Sequence, residues 1–183
     1  RIDAVLSGTL NFLFSTFGPE CGFVDAVKGA MDAGFTEPDP RIDLSGVDVQ
    51  RKILILAREA GYAMDMADVD NPGFLTQSLM DGSVKDFLDK LPTAEKGMQE
   101  RLADASSQGL HLRYVATFEL DESGLPTARV GLQALPAEHA FCQLQGSDNV
   151  VILHTDRYVD RPLVIQGAGA GAEVTAMGVF ADI

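Results

Sequence analysis

Leu110–Leu135 reads LHLRYVATFELDESGLPTARVGLQAL. Leu110, Leu112, Tyr114, Ala116, Phe118 and Leu120 alternate with more polar neighbours, the period of two that a half-buried strand imposes. Asp121-Glu122-Ser123-Gly124 supplies turn chemistry, and Thr127–Leu135 returns as the second arm of a hairpin. Downstream, Val150–Val159 and Pro162–Gln166 predict two more strands, joined by a turn near Asp160-Arg161.

Upstream the period changes. After a short strand at Arg1–Leu6, Ser7-Gly8-Thr9 turns into a helix over Asn11–Phe17, which Gly18-Pro19 ends. Phe23–Ala33 predicts a second helix, stopped by Gly34. Gly46–Ala60 carries the clearest helical stripe, Val49, Ile53, Leu56, Ala57 and Ala60, and Gly61 stops it. Met64–Ser83 fits no single period. Val84–Leu91 and Thr93–Gln108 predict two further helices, the second with Thr93 as its cap. Helices first and strands second point to an α+β fold: one largely antiparallel open sheet with helices packed on one face. The other face is left to solvent or to a partner.

At 183 residues the chain fits one domain with a sizeable core. The net charge of −13 argues against nonspecific binding to nucleic acid or to an anionic membrane. No apolar run approaches the roughly 20 residues that a membrane-spanning helix needs. Cys21 and Cys142 form neither a metal nor a disulfide pattern, and they read as reduced packing residues. A cytoplasmic compartment is the expectation. His111, His139 and His154 are scattered and predict no metal site.

The chemistry concentrates in Ala30–Lys52, AMDAGFTEPDPRIDLSGVDVQRK. Gly34 and Pro38-Asp39-Pro40 forbid one continuous helix there, because proline lacks the N–H and restricts the residue before it. Glu37, Asp39 and Asp43 are therefore expected on an ordered loop. Asp48 and Lys52 follow on one face of the next helix, four residues apart. Acids and an amine converging on one spot can grip a zwitterion and move a proton. Each has an ordinary reading too. Ser45-x-x-Asp48 fits a capping box. Lys52 with Asp48 could be a solvated surface pair worth a few tenths of a kcal/mol. Glu37 could be a solvated loop acid, and Asp43-Leu44-Ser45 a helix approach.

Ala30-x3-Gly34-Phe35-Thr36, then Asp39-Pro40-x2-Asp43-Leu44-x-Gly46-x-Asp48-x3-Lys52, resembles the signature of homoserine dehydrogenases. The resemblance continues in Leu6-Ser7-Gly8-Thr9-Leu10 and in Gly146-Ser147-Asp148-Asn149. It returns in Gln166-Gly167-Ala168-Gly169-Ala170-Gly171, Val174-Thr175-Ala176 and Gly178-Val179. It implies an enzyme that interconverts aspartate 4-semialdehyde and L-homoserine with NAD or NADP, on the route to threonine and methionine. Lys52 would be the acid–base group, with Asp43 behind it orienting Lys52 or water. Glu37 and Asp48 would grip the substrate ammonium. Gly8 and Thr9 would hold its carboxylate or the reacting oxygen. Ser7 and Gly171 would approach the nicotinamide, Gly171 because a glycine permits close backbone contact.

The resemblance also implies a homodimer, and a nucleotide-binding Rossmann domain that this chain does not contain, since no strand–GxGxxG–helix unit precedes the region. A start at Arg1 already in a strand, and a stop at Ile183 within an apparent helix, fit a piece of a longer protein, such as the end of a bifunctional aspartokinase–homoserine dehydrogenase. Gly167–Gly171 lies too close to the end of the chain to open a βαβ unit of its own. It is read as a tight turn into a helix from about Val174 that would dock on the Rossmann domain. Two competing expectations are a non-catalytic dimerisation or regulatory module with a structural acidic loop, and a related oxidoreductase with another small carbonyl substrate.

Overall fold

The computed structural model describes residues 1–144, 146, 148–169, 172–181 and 183. Six strands form one open sheet in the order β2-β4-β3-β1-β5-β6. These are β1 (Ile2–Val5), β2 (Val69–Asp70), β3 (Leu110–Leu120), β4 (Pro126–Pro136), β5 (Asp148–Thr155) and β6 (Tyr158–Ala168). All neighbours are antiparallel except β2 and β4. The β3–β4 hairpin pairs without a break from Leu110↔Pro136 to Leu120↔Pro126. The N-terminal strand is central, between β3 and β5.

The helices before β3 are α1 (Gly8–Thr16), α2 (Phe23–Asp32), α3 (Pro40–Leu44), α4 (Val47–Glu59), α5 (Gln77–Met80), α6 (Val84–Lys90) and α7 (Glu95–Ser107). Their apolar stripes meet one face of the sheet in a single core. There Ile2, Ala4, Leu112, Tyr114, Ala116 and Phe118 face helix residues such as Leu10, Phe14, Phe23, Ile53 and Phe87. An α+β fold with a mostly antiparallel open sheet is thus observed.

Several local expectations are corrected. Asp43 is not on a loop: Pro40 sits in the first turn of α3, where its missing N–H costs nothing, and Asp39 caps the helix through Arg41 N. The Ser45–Asp48 capping box does not form. Gly46 caps α4 at φ 69°, and the Ser45 hydroxyl instead joins the Ile42 carbonyl and Val47 N. On α4 the buried stripe takes Leu54, while Ala60 is exposed. Thr93 does not cap α7. It lies in a 3-10 turn, Leu91–Ala94, and donates to the Lys90 carbonyl. The β5–β6 turn falls at Asp156-Arg157, because Thr155 pairs with Tyr158 and β6 runs on through Ala168.

The second sheet face is not wholly open either. A smaller cluster of Val5, Val115, Val150 and Ile152 is covered by Phe141 and Leu144 from the segment after β4. Arg113 lies buried on this side. It donates to the carbonyls of Phe14 (2.8 Å), Leu112 (2.7 Å) and Phe141 (3.1 Å), tying the end of α1 to β3 and to the covering segment. Burial lowers its pKa, yet the three carbonyls give the guanidinium the acceptors that burial demands.

Candidate active site

The loop after α2 is fixed at several points. Phe35 packs on Phe12 of α1 with ring centroids 4.8 Å apart. The Thr9 hydroxyl meets the Phe35 carbonyl and lies 3.1 Å from Asp43 Oδ1. Asp43 Oδ2 accepts the Glu37 N–H at 2.9 Å. Asp43 therefore spends both oxygens framing the Glu37 turn against α1, and it makes no hydrogen bond to Lys52. The hydroxyl of Thr9 is committed to the same framework.

Lys52 is half-buried on α4. Its ammonium donates to the Leu6 carbonyl at 2.9 Å and to Asp48 Oδ2 at 2.8 Å. A lysine ammonium carries three protons, so the third remains for a ligand oxygen. Leu6 follows β1 directly, and its carbonyl is aimed at Lys52 because α4 packs on this end of the sheet.

Ser7 opens α1: its Oγ accepts the Leu10 N–H at 3.1 Å. The N–H groups of Gly8 and Thr9 stand in the first turn, where no intrahelical carbonyl reaches them, so they and the helix dipole favour an anion.

These pieces line one cavity of about 450 Å³: Ser7, Gly8, Thr9, Glu37, Asp43, Asp48 and Lys52, with Gly34, Asn149 and Gly169 completing its wall. The residues expected at the site from Ser7 to Lys52 are thus brought together. Gly171 lies outside the described residues. Leu6, Asn149 and Gly169 join the site without any signal of their own in residue type or spacing. Asn149 stood in a stretch carrying the family resemblance, and Gly169 in the glycine run, but the backbone approach that makes them neighbours is set by sheet register.

A cavity of similar size, about 470 Å³, lies beside Asp39, Arg41 and Asn71. Its charges are already satisfied. Arg41 pairs with Asp39 at 2.7 Å and donates to the Met80 and Gly82 carbonyls. The Arg41 guanidinium holds the Asp39 carboxyl below its usual range. Of these two cavities, the one around Lys52 is the one that keeps uncommitted groups among the described residues. Among the described residues no group of three or more His, Cys, Asp or Glu could hold a metal ion, and no helix is long and apolar enough to cross a membrane.

The Lys52 cavity can receive an ammonium beside Glu37 and Asp48, an anion at the start of α1, and a reactive oxygen at Lys52. Ser7, Gly8 and Gly169 contribute only backbone and one hydroxymethyl group to the wall, which leaves room for a flat ring to approach.

All of residues 1–183 match the family model described as homoserine dehydrogenase. The chain is 44% identical over 185 residues to a chloroplastic bifunctional aspartokinase/homoserine dehydrogenase 2 of Arabidopsis thaliana, covering 100% of this chain and 20% of that protein. It is 42% identical over 195 residues to a homoserine dehydrogenase of Emericella nidulans, covering 100% of this chain and 52% of that protein. Among solved structures, a Candida auris protein described as of unknown function superposes with a TM-score of 0.88 at 42% identity, over 99% of this chain and 51% of that one. The chain thus spans from a fifth to about half the length of the relatives it matches.

Proposed function

Because the chain belongs to the homoserine dehydrogenase family, we propose that it is the substrate-binding and catalytic part of an NAD- or NADP-dependent enzyme interconverting L-aspartate 4-semialdehyde and L-homoserine. The observation carrying this reading is the meeting of Glu37, Asp48, Lys52 and the first turn of α1 in one cavity.

The substrate is an amino acid with an oxygen two carbons beyond its α-carbon. Its ammonium seats between the Glu37 and Asp48 carboxylates. Its carboxylate seats on the N–H groups of Gly8 and Thr9, where the helix dipole adds to the hydrogen bonds. Charge-assisted contacts at both ends fix the remaining oxygen at Lys52, and that orientation removes much of the entropic barrier. In the reducing direction Lys52 gives a proton to the carbonyl oxygen; in the oxidising direction it takes one from the hydroxyl. The nicotinamide cofactor, when bound, supplies or accepts the hydride. The Leu6 carbonyl holds the Lys52 amine in line while Asp48 pairs with it, and Asp43 acts behind Glu37 by fixing its backbone.

Ser7, Gly8 and Gly169 are the residues of this chain that would face the nicotinamide. The rest of the dinucleotide belongs on a Rossmann domain of the longer protein. A homodimer of that protein is consistent with the apolar side chains that β6 exposes, Leu163, Val164 and Ile165.

Titration calorimetry of the full-length protein with L-homoserine tests the reading. Saturable binding is expected, weakened at least about tenfold in Glu37→Gln, the loss of one charge-assisted contact. No binding by the unmodified protein would favour a dimerisation or regulatory module instead.

A further inference from the structure

Asn149 lies on β5 one residue before Val150, which pairs with Val5, so register sets it beside Leu6, whose carbonyl holds Lys52. It lines the same cavity as Lys52, and so does Gly169 beyond the end of β6. The Asn149 carboxamide lies so close over Gly169 that a Cβ built on that glycine would fall inside it. The same construction at Gly167, directly opposite Asn149 in the β5–β6 ladder, meets nothing within 4 Å. The close approach at 169 is therefore local, and the three atoms nearest to such a Cβ all belong to the Asn149 side chain. Asn149 Oδ1 is buried and has no hydrogen-bond partner among the described residues. The turn ahead of β5 is anchored in addition: Asn11 of α1 donates to the Gly146 carbonyl at 3.0 Å.

We infer that Asn149 is a positioning residue of this site: its carboxamide is a spacer between the Leu6–Lys52 wall and the Gly169 segment, and residue 169 is glycine to admit it. The inference deepens the dehydrogenase reading and rests on it. A side chain at 169 pushes the spacer toward Lys52 or lifts the segment from the rim. Either movement misplaces the reacting oxygen, and a displacement of about 1 Å can cost on the order of a hundredfold in rate.

The test is a double-mutant cycle on the full-length enzyme, read as kcat and KM for homoserine oxidation together with the thermal unfolding midpoint. Gly169→Ala is expected to lower kcat/KM at least about tenfold, mostly in kcat, since the Glu37 grip lies off the spacer. Asn149→Gly alone is expected to cost less. The double variant is expected to match Asn149→Gly within about threefold, because removing the spacer relieves the clash, a coupling that independent sites do not show. If Gly169→Ala proves unstable, recovery of both the midpoint and kcat in the double variant still reads out the clash. Losses that multiply, or a Gly169→Ala enzyme within about threefold of the parent, would overturn the inference and leave the dehydrogenase reading standing. Absence of homoserine turnover in the parent would remove that reading, and the positioning role with it.

Discussion

Lys52 donates to the backbone carbonyl of Leu6 at 2.9 Å, so the amine from α4 is held at the end of β1 independently of its partner Asp48. This separates two roles of Asp48. As a half-exposed ion-pair partner at 2.8 Å it adds little to stability, under about 1 kcal/mol. As part of the ammonium seat it is expected to matter far more. Asp48→Asn should leave denaturant unfolding nearly unchanged while raising KM for homoserine about tenfold or more, the worth of one charge-assisted hydrogen bond. Equal small effects on both measurements would return Asp48 to the surface pair that its spacing also allows.

Glu95 caps α2 from a distance. Its carboxylate accepts the N–H groups of Phe23 at 2.9 Å and Val24 at 2.8 Å, and Gln99 braces it. Burial pushes its pKa up, but the Val24, Gln99 and Phe23 hydrogen bonds outweigh this and leave it below its ordinary 4.5. The folded state therefore prefers the ionised form. The stabilisation is complete above pH 4.5 and is lost as pH falls below that value through the lowered folded pKa. Glu95→Gln is expected to cost about 1 kcal/mol at pH 7, as loss of a helix cap does, with the difference from the parent shrinking in acid unfolding profiles.

Tyr114 and Gly46 make a second close pair. The Tyr114 hydroxyl donates to Asn71 Oδ1 at 3.2 Å, and burial pushes its pKa up to about 12. Here the folded state keeps a proton that the unfolded chain releases near pH 10, so stability falls as pH rises from 10 toward 12. Tyr114→Phe should flatten that alkaline loss. Gly46→Ala should destabilise by about 2 kcal/mol or more, because Gly46 has φ 69° and an added Cβ would enter the Tyr114 hydroxyl. Thermal unfolding of the two variants across this range checks both statements.

Arg113 is a staple rather than a site residue. Replacing it with Met would leave the buried carbonyls of Phe14, Leu112 and Phe141 without their shared donor. A loss of about 3 kcal/mol is expected in denaturant unfolding. A loss below about 1 kcal/mol would mean that water replaces the guanidinium.

The sheet hairpin was legible because its contacts are local: the alternation from Leu110 to Leu120 and the turn at Asp121–Gly124 lie within one short stretch. Elements decided by tertiary contact were not. β2 is only Val69–Asp70, too short to show a period, and exists because it pairs with Ala128 and Arg129. Asp160-Arg161, a turn by composition, lies inside β6 at a register irregularity flanked by the pairs Thr155↔Tyr158 and Leu153↔Leu163, so the turn falls earlier, at Asp156-Arg157. At the site, the Glu37–Lys52 stretch announced itself through charge crowded among prolines and glycines. The Leu6 carbonyl could not, because every residue has one and only the packing of α4 directs Lys52 to it. Asn149 and Gly169 became neighbours through register, which no one-dimensional spacing reveals.

Steady-state turnover of the full-length enzyme carrying Lys52→Ala bears most directly on the account. Loss of a positioned acid–base group predicts a fall in kcat for homoserine oxidation of about 10²–10⁴-fold with the fold retained. A kcat within a few-fold of the parent would show that the proton passes through some other group.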